Sequence, residues 1–290
     1  MRARWLVSSA LAFPLAVAAC SKPAPEAPPQ AATPPAAPAA VKRAVKPPAD
    51  APHWDYEADG PAKWGSLSQA FAACGEGKRQ SPIDLRGAKP AGLTQLLTSF
   101  RPAELRVVHH EHMADVVNTG HSVQVNAPDG DTLTVGEEKF VLLQYHFHSP
   151  SEHHVDGRPF PAEMHLVHKG ADGRLAVIGV LFEEGAANPA LDPIWANLPT
   201  TKGEESHLAH LKVNVDDLLP VSRASYRYTG SLTTPPCSED VTWIVMSTPV
   251  TMSAEQLAQL RRVLVGNNRP VQPLNRRALV VEGVEEQVAR

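Results

Sequence analysis

The sequence predicts a mainly β domain built on one large, mostly antiparallel sheet with short helices at its periphery. Three observations point there. Segments rich in β-branched and aromatic residues recur from Leu105 onward, Gly, Pro, Asn and Asp punctuate the gaps between them, and helical periodicity is scarce. The strand candidates are 105–110, 114–127, 132–136, 139–148, 162–169, 175–183, 224–232, 239–247 and 277–282. One helix begins well: Ser253 suits an N-cap, and Leu257, Leu260 and Leu264 then recur at helical spacing. Residues 189–198 hold a second, shorter helix.

The N-terminal part has a different character. Arg2 and Arg4 precede an apolar run, 5–19, too short to span a bilayer comfortably, which is the pattern of an export signal. The run ends in Val17-Ala18-Ala19-Cys20 and resembles a bacterial lipobox, in which the cysteine becomes the lipidated first residue. Ordinary cleavage at the small residues 16–18 is the alternative. Residues 21–52 form a Pro/Ala-rich linker: of residues 22–52, ten are Pro and eleven Ala, so little is left to fill a core and the segment reads as an extended tether. The expected location is the periplasm or cell envelope, with membrane contact only through a lipid on Cys20. With Cys20 lipidated, Cys74 and Cys237 remain as an even pair in a disulfide-permissive compartment, and one long-range bridge follows.

Residues 53–290 read as one domain, long enough to bury a substantial core. The whole chain carries a net charge of −4. The first 52 residues hold six basic and two acidic side chains, so the domain alone stands at −8, and nucleic acid is excluded as a partner.

The chemistry concentrates in 144–165, QYHFHSPSEHHVDGRPFPAEMH. Its alternation puts Gln144, His146 and His148 on one face of a strand, with Tyr145 and Phe147 on the other. After a loop punctuated by Pro150, Gly157, Pro159 and Pro161, Glu163 and His165 share a face of the next strand. Two histidines at i, i+2 and a third from a neighbouring strand can converge on one point. Three neutral imidazoles with a fourth position open describe a catalytic zinc site rather than a structural one. Gln144 and Glu163 each stand two residues before a histidine on its own face, where they can take the other ring N–H and fix the tautomer. His109, His110 and His112 imitate such a cluster, but consecutive strand residues point to opposite faces, so at most two could converge. The remaining histidines read as structural or surface, with His153 and His168 in buried hydrogen-bond networks.

Eight segments, in order, closely resemble the α-class carbonic anhydrases in their exported bacterial form. They are 53–65 (HWDYEADGPAKWG), 77–85 (GKRQSPIDL), 116–126 (VVNTGHSVQVN), 144–153 (QYHFHSPSEH), 162–168 (AEMHLVH), 175–182 (LAVIGVLF), 228–245 (YTGSLTTPPCSEDVTWIV) and 267–277 (NNRPVQPLNRR). The resemblance implies a twisted, mostly antiparallel central sheet of about ten strands, with Zn2+ at the bottom of a cone. It implies reversible hydration of carbon dioxide to bicarbonate and a proton, by attack of zinc-bound hydroxide. Position by position, His146, His148 and His165 match the zinc ligands, and Gln144 and Glu163 their outer partners. Thr233 matches the threonine that accepts from the hydroxide, and Glu152 the glutamate that takes the threonine's proton. His121 matches the histidine that shuttles protons to buffer. Tyr56, Asn118, Gln124 and Asn267 match the polar cavity wall, and Val167, Val177, Leu232, Thr234, Val241 and Trp243 the wall that receives carbon dioxide. Cys74 and Cys237 match a disulfide of exported members. The chain departs at Thr119, where the family often has asparagine, which bears on the water network. Bacterial members are often homodimers; no surface pattern here decides that.

Outside their motifs Thr233, Glu152 and His121 would be an ordinary strand threonine, a loop carboxylate and an exposed histidine. Three rival functions share part of the pattern: a zinc hydrolase acting on esters, a non-catalytic binding module, and a zinc buffer. A binding module typically lacks one of the zinc histidines, and a buffer has no need of Thr233, Glu152 and the apolar wall.

Overall fold

The structure is a computed structural model that describes residues 52–90, 105–108, 111–127, 130–203 and 205–283. The export signal, Cys20, nearly all of the tether, and His109 and His110 lie outside the described residues. Among the described residues, no helix is long and apolar enough to cross a membrane.

The strands in chain order are β1 (Lys89–Pro90), β2 (Leu105–Val108), β3 (Glu111–Asn118), β4 (Val123–Asn126) and β5 (Thr132–Val135). Then come β6 (Glu138–His148), β7 (His154–Val155), β8 (Arg158–Pro159), β9 (Ala162–Gly170) and β10 (Leu175–Glu184). The last are β11 (Glu205–Asn214), β12 (Ser225–Ser231), β13 (Glu239–Met246), β14 (Val250–Met252) and β15 (Val280–Glu282). Among the described residues four short α-helices lie around them: α1 (Trp64–Leu67), α2 (Ala73–Glu76), α3 (Asp192–Trp195) and α4 (Ala254–Val263).

Thirteen strands share one sheet, whose main path of ten runs β1-β15-β12-β13-β10-β9-β6-β4-β3-β11. β10 is parallel to β13 and β14, and β1 to β15; the other pairings are antiparallel. The mainly β, mostly antiparallel fold is therefore as the sequence predicts. Two details differ. The stretch read as one strand over 114–127 is the hairpin β3–β4, turning at Thr119–Ser122, with Gly120 at φ +82°. β11 was not expected, because its apolar residues do not alternate; a register shift between Leu208 and Lys212 is the cause.

Central strands bury both faces. Along β10, Ala176, Ile178, Val180 and Phe182 enter the larger core, while Val177 and Leu181 enter a second cluster with Val167, Val241 and Trp243. A strand covered on both sides reads as a continuous apolar run, which is the character of LAVIGVLF. β6 shows how the site face is made. Phe140 and Leu142 enter the larger core at even positions, but Tyr145 and Phe147 do so at odd ones. The register shift against β9 between Leu142 and Gln144 explains the change, since one extra residue inverts every face after it. Gln144, His146 and His148 thereby leave the core face. Packed into that core through Leu257 and Leu260, α4 is held by a capping box, with Ser253 Oγ accepting from Gln256 N–H and the Gln256 side chain accepting from Ser253 N–H.

Cys74 and Cys237 are bridged, with Cα atoms 5.1 Å apart and a sequence separation of 163. Replacing both with serine is expected to lower the unfolding free energy by about 3–5 kcal/mol, because the bridge restricts the unfolded chain. Urea titration of the two chains checks this, and coincident midpoints would contradict it.

Candidate active site

β6 and β9 pair so that His146 lies directly opposite His165, and His148 opposite Glu163. The ring centroids are 5.0 Å apart for His146–His148, 5.3 Å for His146–His165 and 4.5 Å for His148–His165. One nitrogen of each ring lies within 4.8 Å of the other two.

The remaining ring nitrogens are all engaged. His146 Nδ1 meets Gln144 Oε1 at 2.8 Å, His148 Nδ1 meets the backbone carbonyl of Asn267 at 2.6 Å, and His165 Nε2 meets Glu163 Oε1 at 2.9 Å. Each partner is an acceptor, so each of those nitrogens carries the proton and the lone pair is left on the other. The lone pairs belong to His146 Nε2, His148 Nε2 and His165 Nδ1. His148 Nε2 is fully buried and has no hydrogen-bond partner. A buried orphan flanked by two further lone pairs fits a divalent metal. Burial is the first cause holding all three imidazoles below the ordinary histidine pKa, in the neutral form that a metal requires.

Glu163 is completely buried, and its carboxylate accepts four hydrogen bonds. Oε2 accepts from the backbone N–H of Glu152 (2.9 Å) and His153 (2.8 Å), and Oε1 meets His153 Nδ1 (2.7 Å) and His165 Nε2. Burial alone would raise its pKa; the His153 and His165 interactions overcome that and hold it well below the ordinary value. Gly179 of β10 pairs with His165, and a Cβ there would come within 3.0 Å of Glu163 Oε1. His153 continues outward to the Tyr228 hydroxyl at 2.7 Å, which donates to Ser81 Oγ.

Glu152 is buried beside the same point. Its Oε1 accepts from Arg269 N–H at 2.8 Å, and Oε2 lies 3.6 Å from His148 Nε2 and 3.8 Å from His165 Nδ1. Burial pushes its pKa up to about 7, against the opposing pull of His165, the Arg269 N–H and the Thr233 side chain. Thr233 is buried, while Thr234 is half-buried and its carbonyl accepts from Cys237 N–H at 2.9 Å. Val167, Val177, Val241 and Trp243 form one apolar cluster with half-buried Leu232 against it, and the Trp243 ring is 4.8 Å from that of His165.

The polar residues expected to share a wall have separate tasks. Gln124 pairs with His146 in register and donates to Asn126 Oδ1, and Tyr56 packs edge-on to Trp54 and Trp64. Asn118 is buried, donating to the Pro199 carbonyl and accepting from Gly120 N–H. Asn267 is 3% exposed, with its amide bonded to backbone. The Thr119 hydroxyl is consumed by its own turn, accepting from the N–H of His121 and Ser122 and donating to the Ser122 carbonyl. His121 is half-buried, stacked on Trp54 at 3.9 Å, with Nε2 3.0 Å from the Trp54 carbonyl. His153 and His168 are buried as expected.

The family model described as eukaryotic-type carbonic anhydrase matches residues 59–282. This chain belongs to the α-class carbonic anhydrase family. It is 45% identical over 233 residues to a carbonic anhydrase of Pectobacterium carotovorum, covering 80% of this chain and 91% of that one. It is 39% identical over 231 residues to a carbonic anhydrase of Neisseria gonorrhoeae, covering 79% and 87%. Among solved structures it resembles the α-carbonic anhydrase of Thermovibrio ammonificans in complex with sulfanilamide, with a TM-score of 0.72 and 42% identity, covering 79% of this chain and 99% of that one. It also resembles dioscorin complexed with ascorbate, with a TM-score of 0.72 and 31% identity, covering 81% and 100%. The carbonic anhydrases are lyases, and family and fold together support carbon dioxide hydration.

Three contributors to this carbonic anhydrase site had no signal in the sequence pattern. The partner of His148 is a backbone carbonyl 119 positions away, which any residue type could supply. Arg269 is an arginine only 1% exposed, holding Glu152 through its backbone N–H while its guanidinium donates to Gln80, Ser81 and Cys74. Trp54 holds His121 by its carbonyl. Glu163→Gln, which replaces an acceptor with N–H donors in a buried ring of donors, is expected to cost about 3 kcal/mol of stability. Denaturant titration measures it; a loss below about 1 kcal/mol would contradict the four-bond picture.

Proposed function

We propose that the chain is a zinc-dependent carbonic anhydrase, hydrating carbon dioxide reversibly to bicarbonate and a proton. The observation that carries this reading is the set of three converging imidazoles, each with its second nitrogen held by an acceptor and its first left as a lone pair. His146 Nε2, His148 Nε2 and His165 Nδ1 would hold the ion. Zinc held there would lower the pKa of a bound water to about 7, a value associated with carbonic anhydrases themselves, and so would supply a nucleophile at neutral pH.

The chain's own groups supply the rest. Glu152 accepts a hydrogen bond from the Thr233 O–H, so the Thr233 oxygen is left to accept from the attacking oxygen and orient it. Val167, Val177, Leu232, Val241 and Trp243 offer an apolar surface that binds carbon dioxide and keeps water off one side, with Thr234 at its edge. His121 accepts the released proton. Its Nε2 donates to the Trp54 carbonyl, so Nδ1 is the atom that takes the proton and hands it to buffer. The export signal, a lipid on Cys20 and the Pro/Ala tether would hold this domain at the cell envelope.

Stopped-flow hydration with zinc quantified tests the reading. The chain is expected to hold one zinc and turn over rapidly, and His148→Ala to lose both, whereas full zinc occupancy without hydration would contradict it. His121→Ala is expected to slow turnover about 100-fold or more in weak buffer, with partial recovery on adding imidazole. Equal rates at all buffer strengths would remove His121 from the mechanism.

The pH dependence of the wild type follows from the surroundings of His121. Burial first, then the charges of Lys202 and His53, hold its pKa below the ordinary 6.5, opposed by the Trp54 carbonyl and Asp55. Only the neutral ring accepts a proton, and a lowered pKa keeps it neutral further into acid. The acid limb of kcat in weak buffer is therefore expected below pH 6.5 and to move upward in Lys202→Gln. A limb that ignores Lys202 would contradict this.

A further inference from the structure

One short segment, 267–269, touches three separate parts of the site. The Asn267 carbonyl accepts from His148 Nδ1 at 2.6 Å, and the Arg269 N–H donates to Glu152 at 2.8 Å. Between them the Asn267 side chain acts as a bracket. Its Nδ2 donates to the carbonyls of His121 (3.0 Å) and Phe147 (2.9 Å), and its Oδ1 accepts from Ser149 N–H at 2.9 Å. Phe147 and Ser149 flank His148 in sequence, so one amide ties the end of β6 around a metal-facing histidine to the turn that carries His121.

That turn can transmit such a tie. Thr119 closes it with three hydrogen bonds, Ser122 Oγ donates to the Phe147 carbonyl at 2.6 Å, and the His121 ring is fixed against Trp54. The backbone beneath the imidazole is thus stiff, and moving the His121 carbonyl moves the ring. Asparagine suits the position because it offers two donors and an acceptor on a short stem. Aspartate lacks the donors, and leucine of similar shape lacks both.

We infer that Asn267 is a positioning residue for proton transfer, setting the distance from His121 to the lone pairs of His146, His148 and His165. The inference rests on His121 as the proton acceptor and adds the residue that holds it in place. Relay through water is steep in distance, and a misplacement of about 1 Å can cost on the order of 100-fold.

The test compares wild type with Asn267→Ala, His121→Ala and the double variant, all in the full chain, in weak and imidazole buffer. Zinc content and thermal melting are read alongside. Proton export follows bicarbonate release, so it enters kcat and not kcat/KM. Asn267→Ala is expected to keep its zinc, because the acceptor for His148 is a backbone carbonyl that alanine also supplies. Its kcat in weak buffer should fall about tenfold, kcat/KM less than about threefold, and imidazole should restore most of the loss. The double variant should be no slower than His121→Ala, since both changes disable one step. Unchanged kcat, or kcat and kcat/KM falling in step with zinc loss, would overturn the inference. Should Asn267→Ala fail to fold, Asn267→Ser, which keeps the backbone carbonyl but is too short to bridge the His121 and Phe147 carbonyls, is read by the same criterion: a loss confined to kcat supports the inference and an unchanged kcat overturns it. If His121→Ala itself is not slowed, the underlying reading fails; if it is slowed and Asn267→Ala is not, only this inference fails.

Discussion

An imidazole can ligate a metal through only one nitrogen, and which one is settled by the hydrogen bond the other makes. In this chain those three bonds come from a side-chain amide (Gln144), a carboxylate (Glu163) and a backbone carbonyl (Asn267). The rest of the site depends on them. They fix which nitrogen of each ring carries the proton and turn three lone pairs toward one point, a service that convergence of the Cα positions could not provide. Burial keeps the rings neutral against the opposing pull of Asn267 and Glu163, since it disfavours the imidazolium that would close the site to a cation.

The sheet makes those bonds possible. The register shift in β6 takes 144, 146 and 148 off the core face, and antiparallel pairing with β9 then sets His165 against His146. Glu163 reaches His165 along its own strand and His153 in the loop before it, so one carboxylate joins the metal-facing side chain to Tyr228 and Ser81. Residues 267–269 in turn reach His148, His121 and Glu152. Two small constructions, a buried carboxylate and a short loop segment, thus brace the site built on β6 and β9.

The extent to which this was legible follows from periodicity. Gln144, His146, His148, Glu163 and His165 lie on strands, where a period of two assigns faces, so their convergence could be read directly. The roles of Thr233, Glu152 and His121 came from family motifs, because nothing in a lone threonine or loop carboxylate signals its task. Partners supplied by backbone left no mark: the carbonyls of Asn267 and Trp54 and the N–H of Arg269 are written in no side chain. Asn267 and Asn118 match positions of a polar wall, yet each is buried and hydrogen-bonded to backbone. In the fold, strand β11 escaped because a bulge breaks its alternation, the same device that in β6 was masked by flanking regular pattern.

Diffraction from crystals of the zinc-loaded chain, recorded at the zinc absorption edge, tests the central claim most directly. One strong anomalous peak is expected in contact with His146 Nε2, His148 Nε2 and His165 Nδ1, with the three opposite nitrogens still on Gln144, Asn267 and Glu163. A peak bound through any of those opposite nitrogens, or no ordered zinc among the three rings, would contradict it.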